Sequence, residues 1–254
     1  METENNSTII FQKDDGREAE VTVIITLYNY ENMVEETLDS VFHQTLRPLN
    51  LVIVDDHSND NSLVVAEQWM CNHAGRFNQM KLVHHLKNQG LGKTRNTAFR
   101  HADTPFVFVL DADNIIYPNA LEKLLKGLKN TSASFAYSYL EHFGDVSKVG
   151  GLKQWEPRQL QFGNTIDAMV LMRKSAWEKA SGYSEDMPYN GWEDYELWFK
   201  IAEFGGWGVR LPEILCRYRV HLDSMLHSET NKKVDQLQEY LRKKHKSYFA
   251  QRQQ

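Results

Sequence analysis

Four short runs of apolar, largely β-branched residues recur between residues 21 and 110: VTVIITL (21–27), LVIVD (51–55), KLVHH (81–85) and FVFVL (106–110). Amphipathic stretches separate them and predict helices over about 33–44, 62–74 and 91–102. Strands alternating with helices in this way build βαβ units around a mainly parallel sheet. The near continuity of each apolar run fits strands covered on both faces. The expectation is therefore an α/β fold with a Rossmann-like sheet flanked by helices.

Beyond residue 110 the rhythm changes. The polar turn DADN is followed by Pro118, which suits the first turn of a helix running to about Lys129. Strands are then expected near 133–140, 166–172 and 214–219, with a Gly/Pro/Trp-containing loop over 144–164 between the first two. A short helix is expected from Lys174, another from WEDYELW (192–198), and an amphipathic basic helix over 231–249. A chain of 254 residues, 41% of them hydrophobic, can bury one large core without help. The pattern divides into a flexible leader (1–19), one domain (20–225) and a C-terminal helical extension (226–254). Within the domain, 20–115 reads as a nucleotide-binding half and 116–225 as an acceptor-binding half.

Charge and cysteine content exclude several classes. A formal net charge of −5, with no basic stripe before the last twenty-five residues, argues against a nucleic-acid partner. Cys71 and Cys216 follow no metal-ligand spacing and read as two reduced, buried thiols. The polar, acidic start lacks the apolar stretch of a signal peptide, and no apolar run approaches the roughly 18 residues needed to cross a bilayer. A cytoplasmic protein is expected, at the inner face of the membrane if the basic terminal helix meets lipid.

Two apolar strands end in paired carboxylates. FVFVLDAD places Asp111 and Asp113 at a strand's carboxyl end, where ligands of open α/β sheets bind. Carboxylate oxygens in that spacing suit a hard cation such as magnesium or manganese, whereas a helix cap would need only one of them. LVIVDDHSNDNS repeats the arrangement, either as a base or ribose acceptor or as a turn rich in local hydrogen bonds. A third acidic pair, Glu193 and Asp194 in GWEDYELW, opens a helix. Favourable dipole partners look the same, but Tyr189, Trp192, Tyr195 and Trp198 give this one an aromatic setting suited to a sugar ring.

Two further signals need weighing. HLKNQGLGKT resembles the Gly-rich phosphate loop of ATPases, yet Lys87 stands where its first glycine should be. A phosphate-loop NTPase is thereby the second class of reading. His84 and His85 are adjacent on a strand, point to opposite faces and read as structural. His221, late in the chain, is a weak candidate ligand for a metal held by Asp113.

The segments VTVIITLYNYENMVEETLDSVFHQT, LVIVDDHSNDNS, NQGLGKTRNTAF, FVFVLDAD and GWEDYELWFKIAEFGG stand in an order that resembles the family 2 inverting glycosyltransferases of GT-A fold. The resemblance covers about residues 20–225 and implies a single GT-A type domain. It makes Thr26, Tyr28, Asp56, Arg95, Asp111 and Ala112 the expected nucleotide-binding positions, with Thr94 departing from the usual Ala beside Arg95. Asp113 is the expected ligand of a divalent manganese or magnesium ion, and the segment YRVH raises His221 to a second ligand. Asp194 resembles the general base, Glu193 would share or orient, and Trp192 would meet the acceptor. The implied reaction passes a hexose or N-acetylhexosamine from a nucleotide-sugar, UDP by preference, to an acceptor in polysaccharide or glycoconjugate synthesis. A saccharide or lipid-linked acceptor fits equally. The basic terminal residues Lys232, Lys233, Arg242, Lys243, Lys244, His245 and Lys246 leave peripheral membrane contact open beside a solvated face or packing on a second copy in a homo-oligomer. A fold member that binds the nucleotide-sugar without catalysis is the third reading.

Overall fold

The computed structural model describes residues 6–221 and 232–250. The apolar runs form β2 (Val21–Leu27), β3 (Asn50–Asp55), β4 (Gln79–His85) and β5 (Phe106–Asp111), all mutually parallel, in the spatial order β4-β3-β2-β5. Every residue of β2 and β3 is buried, as strands with helices on both faces require. The chain works outward from β2 to β4 and then returns to lay β5 on the other side of β2. That reversal opens a crevice at the carboxyl ends of β2 and β5, where Thr26 and Asp111 are register partners.

The sheet continues through the second half. β9 (Leu171–Arg173) runs antiparallel to β5, β7 (Phe135–Gly144) antiparallel to β9, and β10 (Gly208–Val220) parallel to β7. The two-residue β6 (Ile115–Ile116) closes that side, and β8 (Lys148–Gly150) pairs with β7. The expected nucleotide and acceptor halves thus share one sheet among the described residues.

Helices α1 (Val34–Phe42), α2 (Ser62–His73) and α4 (Ala120–Lys129) cover one face, while α3 (Leu91–His101), α5 (Lys174–Lys179) and α6 (Glu193–Glu203) cover the other. In α4, Ala120, Leu121, Leu124, Leu125 and Leu128 are buried at the spacing of a single helical stripe. In α3, six consecutive residues from Thr94 to Phe99 are buried, so the helix is enclosed all round and carries Arg95 into the interior.

Several expectations need correction. Residues 7–14 of the expected leader are β1 (Ser7–Asp14), an edge strand antiparallel to β4. Only one side of β1 packs, and Ile9 and Ile10 stay exposed, which is why its sequence lacks a clear strand signal. Pro118 lies before α4 rather than in its first turn, because the Asn119 cap intervenes. The strand expected over 166–172 is shorter and later. Cys216 is buried but Cys71 is exposed, and both are free thiols. The terminal helix is α7 (Val234–Lys244) followed by α8 (Lys246–Ala250); the start expected for it at 231 and the domain end at 225 lie outside the described residues. No helix among the described residues is long and apolar enough to cross a membrane.

Candidate active site

Strand β5 delivers Asp111 to the mouth of the crevice, and a tight turn follows in which the Asn114 N–H donates to the Asp111 carbonyl at 3.1 Å. Two elements hold that turn. The Thr37 hydroxyl of α1 donates to the Ala112 carbonyl at 2.9 Å, and the Arg219 Nε of β10 donates to the Asp113 carbonyl, also at 2.9 Å. Arg219 also pairs with Glu36 of α1, so β10 returns over the turn in a fixed position. His221 follows directly, with its Nε2 3.1 Å from Asp113 Oδ2. Burial, and then the Asp111 carboxylate, push Asp113 up to about 6 against the opposing pull of His221.

Whether these groups fit a divalent cation can be judged from the donor set. Asp113 and His221 already converge, the Asp111 carboxylate is close enough to repel Asp113, and His221 Nδ1 is a buried nitrogen with no hydrogen-bond partner. Among the described residues, no group of three or more His, Cys, Asp or Glu side chains is placed to hold a metal ion by itself. An open site of one or two protein ligands suits magnesium or manganese, which complete their shells with phosphate oxygens and water. Asp113 and His221 are compatible with an open site of that kind.

Arg95 links the two acidic pairs. It is 1% exposed; one guanidinium nitrogen donates to Asp111 Oδ1 at 2.7 Å and another pairs with Glu193 Oε1. Arg95, expected among the nucleotide-binding positions, is thus buried between Asp111 and Glu193. Glu193 is similarly enclosed, 4% exposed, with Oε2 unpartnered. Its neighbour is placed differently. Asp194 is partly exposed, accepting from Asn164 Nδ2 at 2.8 Å through Oδ2 and from the Tyr195 N–H at 2.7 Å through Oδ1. Enclosure by the crevice walls, and then the Glu193 carboxylate, raise its pKa to about 7.

Sequence reading missed Asp167, which precedes β9. Burial, and then Asp111, push it up to about 7, so Asp111, Asp113, Asp167 and Asp194 form one field of carboxylates around the crevice. IDAMVLM carries no spacing that would have marked it. Of the aromatics, Tyr195 and Trp198 belong to the core, donating to the carbonyls of Leu160 and Ile166. Trp192 is partly exposed in a left-handed conformation at φ 63°, capping α6, and Tyr189 is exposed.

On the nucleotide side, Thr26 is buried at the end of β2 and Tyr28 is exposed beside it, its hydroxyl accepting from Asn59 Nδ2 at 3.4 Å. His84 and His85 hold the second carboxylate pair, contacting Asp55 at 2.8 Å and Asp56 at 2.7 Å. Asp56 also accepts from the Gln89 and Gly90 N–H groups at 2.8 and 2.9 Å. Those are the amides a phosphate loop would offer to its ligand, so the internal carboxylate stands in the anion's place. Both glycines of NQGLGK serve geometry instead. Gly90 has φ 85°, and a Cβ on Gly92 would sit 2.8 Å from the Ser184 carbonyl. These contacts remove the basis of the NTPase reading.

A mainly parallel α/β sheet with carboxylates clustered at its switch point has its ligand site where open α/β folds place one. Residues 22–179 match the family described as glycosyl transferase family 2, and the chain belongs to that family. It is similar to the amylovoran biosynthesis glycosyltransferase AmsE of Erwinia amylovora, 28% identical, the alignment covering 80% of this chain and 77% of that one. It is also similar to the UDP-Glc:alpha-D-GlcNAc-diphosphoundecaprenol beta-1,3-glucosyltransferase WfgD of Escherichia coli, at 26% identity over 81% of this chain and 79% of WfgD. Among solved structures, S. aureus TarS in complex with UDP-GlcNAc matches with a TM-score of 0.68 at 20% identity, over 83% of this chain and 61% of that one. The mannosyltransferase PcManGT from Pyrobaculum calidifontis, in complex with GDP-Man and Mn2+, gives a TM-score of 0.64 at 22% identity, over 83% and 60%. These likenesses bear out the GT-A fold. The alignments cover 62% of EpsH of Bacillus subtilis and 79% of WfgD.

Proposed function

We propose that this protein is an inverting glycosyltransferase that passes a sugar from a UDP-sugar to an acceptor hydroxyl in polysaccharide or glycoconjugate synthesis. One observation carries the reading: Asp111, Asp113 and Asp194 border one crevice, and the buried Arg95 joins Asp111 to Glu193, the neighbour of Asp194. Family membership and the UDP-Glc and UDP-GlcNAc named for WfgD and TarS support the donor class.

The residues divide the work by position. Thr26, Tyr28 and Asp56 bind the nucleotide at the ends of β2 and β3, and Asp111 and the Ala112 backbone meet the ribose. Asp113 and His221 would hold a divalent ion, whose charge would offset that of the diphosphate. Asp194, raised towards neutrality and partly open to the crevice, accepts the acceptor's proton as attack proceeds. Glu193 and Arg95 fix the start of α6 so that Asp194 stands on the acceptor face, with Trp192 as an apolar wall for the sugar. A base on the face opposite the leaving group gives single displacement and inversion.

The test is calorimetric titration of UDP with and without manganese, on the native protein and on Asp113→Ala. Metal-dependent UDP binding that the variant loses is the expected result. Binding indifferent to manganese, or binding of ATP in its place, would sink the assignment.

A further inference from the structure

The loop between α5 and α6 ends in Trp192 and runs straight into Glu193 and Asp194, the first two residues of α6, so its position sets where the proposed base stands. Its ends are anchored from within. The Asn96 side-chain amide donates to the Tyr183 carbonyl at 2.9 Å at one end, and Glu193 pairs with Arg95 at the other. Between those anchors the loop is gripped by the C-terminal segment. Tyr240 donates its hydroxyl to Asp186 Oδ1 at 2.8 Å, and Lys244 donates to the same oxygen at 2.7 Å and to the Ser184 hydroxyl at 2.8 Å. The Lys233 ammonium lies 4.8 Å from the centre of the Tyr189 ring.

The same segment is fastened to α6 itself. His245 reaches Glu203 at 2.7 Å and Glu196 at 3.1 Å through its two ring nitrogens, and its ring stacks on Phe199 with centroids 5.0 Å apart. Leu237 and Leu241 are buried beneath. Loop and helix are thus held by one element that lies outside the crevice and contributes no group to it.

We propose that α7 and α8 are a positioning element for the acceptor side, in which Tyr240 and Lys244, through Asp186 and Ser184, fix the loop that carries Trp192 and Asp194. The proposal rests on the reading of Asp194 as the base. Its chemistry is economical: a Lys–Asp–Tyr contact at the loop surface transmits position without touching substrate, so donor binding is independent of it.

The test compares the full-length native protein with Lys244→Met, which keeps most of the apolar stem, and with Lys244→Arg, which keeps the charge. Hydrogen–deuterium exchange of peptides across 184–196 is followed together with UDP affinity in manganese and UDP release from UDP-glucose and UDP-N-acetylglucosamine. In Lys244→Met the loop should exchange about tenfold faster while the rest of the sheet and the UDP affinity stay unchanged. Turnover should fall on the order of tenfold with donor KM constant, since small displacements of a reacting group cost rate rather than donor binding. Lys244→Arg should recover most of both effects. Unchanged exchange over 184–196, or exchange rising over the whole chain in step with lost UDP binding, would overturn the proposal. A native protein that binds no UDP would fail the functional reading instead, and the exchange result would still decide whether α7 holds the loop.

Discussion

Asp194 and Glu193 are neighbours in sequence with opposite fates, and Arg95 separates them. Its guanidinium neutralises Glu193 in the interior and leaves Asp194 as the carboxylate that opens on the crevice. With a pKa raised to about 7, Asp194 is a base near its optimum at neutral pH. A raised carboxylate is protonated, and idle, below its pKa. The logarithm of kcat/KM should therefore rise with unit slope up to about pH 7 and level off above it. Asp194→Asn should lower kcat by roughly 10²- to 10⁴-fold and abolish that pH dependence, leaving UDP affinity intact. A variant that keeps the native pH profile, measured by UDP release, would move the base elsewhere, with Asp167 the next carboxylate to examine. Asp167 shows what residue patterns hide. Asp111 and Asp113 were legible because a strand of continuous apolar residues ends in them, whereas Asp167 sits in IDAMVLM with nothing to mark it.

At the level of elements, helix α3 carries the structural argument. A helix enclosed all round is normally apolar, yet α3 brings Arg95 inside, and its charge is answered by Asp111 of β5 and Glu193 of α6. Removing one member of a buried ionic set leaves the others charged without compensation, which typically costs about 3–5 kcal/mol. Arg95→Met should accordingly lower the melting temperature by roughly 6–20 °C for a domain of this size. Adding Glu193→Gln should restore part of that loss, because the uncompensated carboxylate goes with it. Equal melting temperatures for the single and double variants would show that the ion pair is not the source of the loss. Elements of this kind were largely readable from the chain. Strands β2 to β5 and helices α1 to α3 lie within a residue or two of their expected bounds, because short apolar strand runs alternate there with amphipathic stretches. β1 was not readable, since a strand packed on one side at a sheet edge has neither that run nor clean alternation.

Across the whole molecule, the C-terminal segment is the part whose role sequence conveyed least. Its cluster of Lys, Arg and His residues leaves lipid contact, a solvated face and packing on a second copy all open, whereas the partners of Lys244 and His245 stand 58 and 49 residues away at Asp186 and Glu196. Lys243 is paired with Glu239 as well, which leaves Lys232, Arg242 and Lys246 as the exposed remainder without a described ion pair. Docking of the segment has a pH signature with a definite sign. His245 is packed against Phe199 and faces Glu196 and Glu203, with Lys200 and Lys244 also meeting Glu196. Burial lowers the imidazole pKa, but the two carboxylates outweigh it and raise the value above the ordinary 6.5. Its contribution is full below 6.5 and is lost as pH rises through the raised value. Glu196 behaves in the opposite sense. Burial opposes its ionisation, yet His245 and Lys200 hold it below the ordinary 4.5, so its contribution is full above 4.5 and lost as pH falls through the lowered value. The two together place the firmest docking of α7 and α8 between about pH 4.5 and 6.5. Hydrogen exchange of peptides spanning 234–249, corrected for the intrinsic rate, should show greater protection at pH 6 than at pH 9. In His245→Gln that difference should vanish. Protection that rises towards pH 9 would mean that the neutral imidazole is the form that docks, and that apolar packing on Phe199 outweighs both carboxylates.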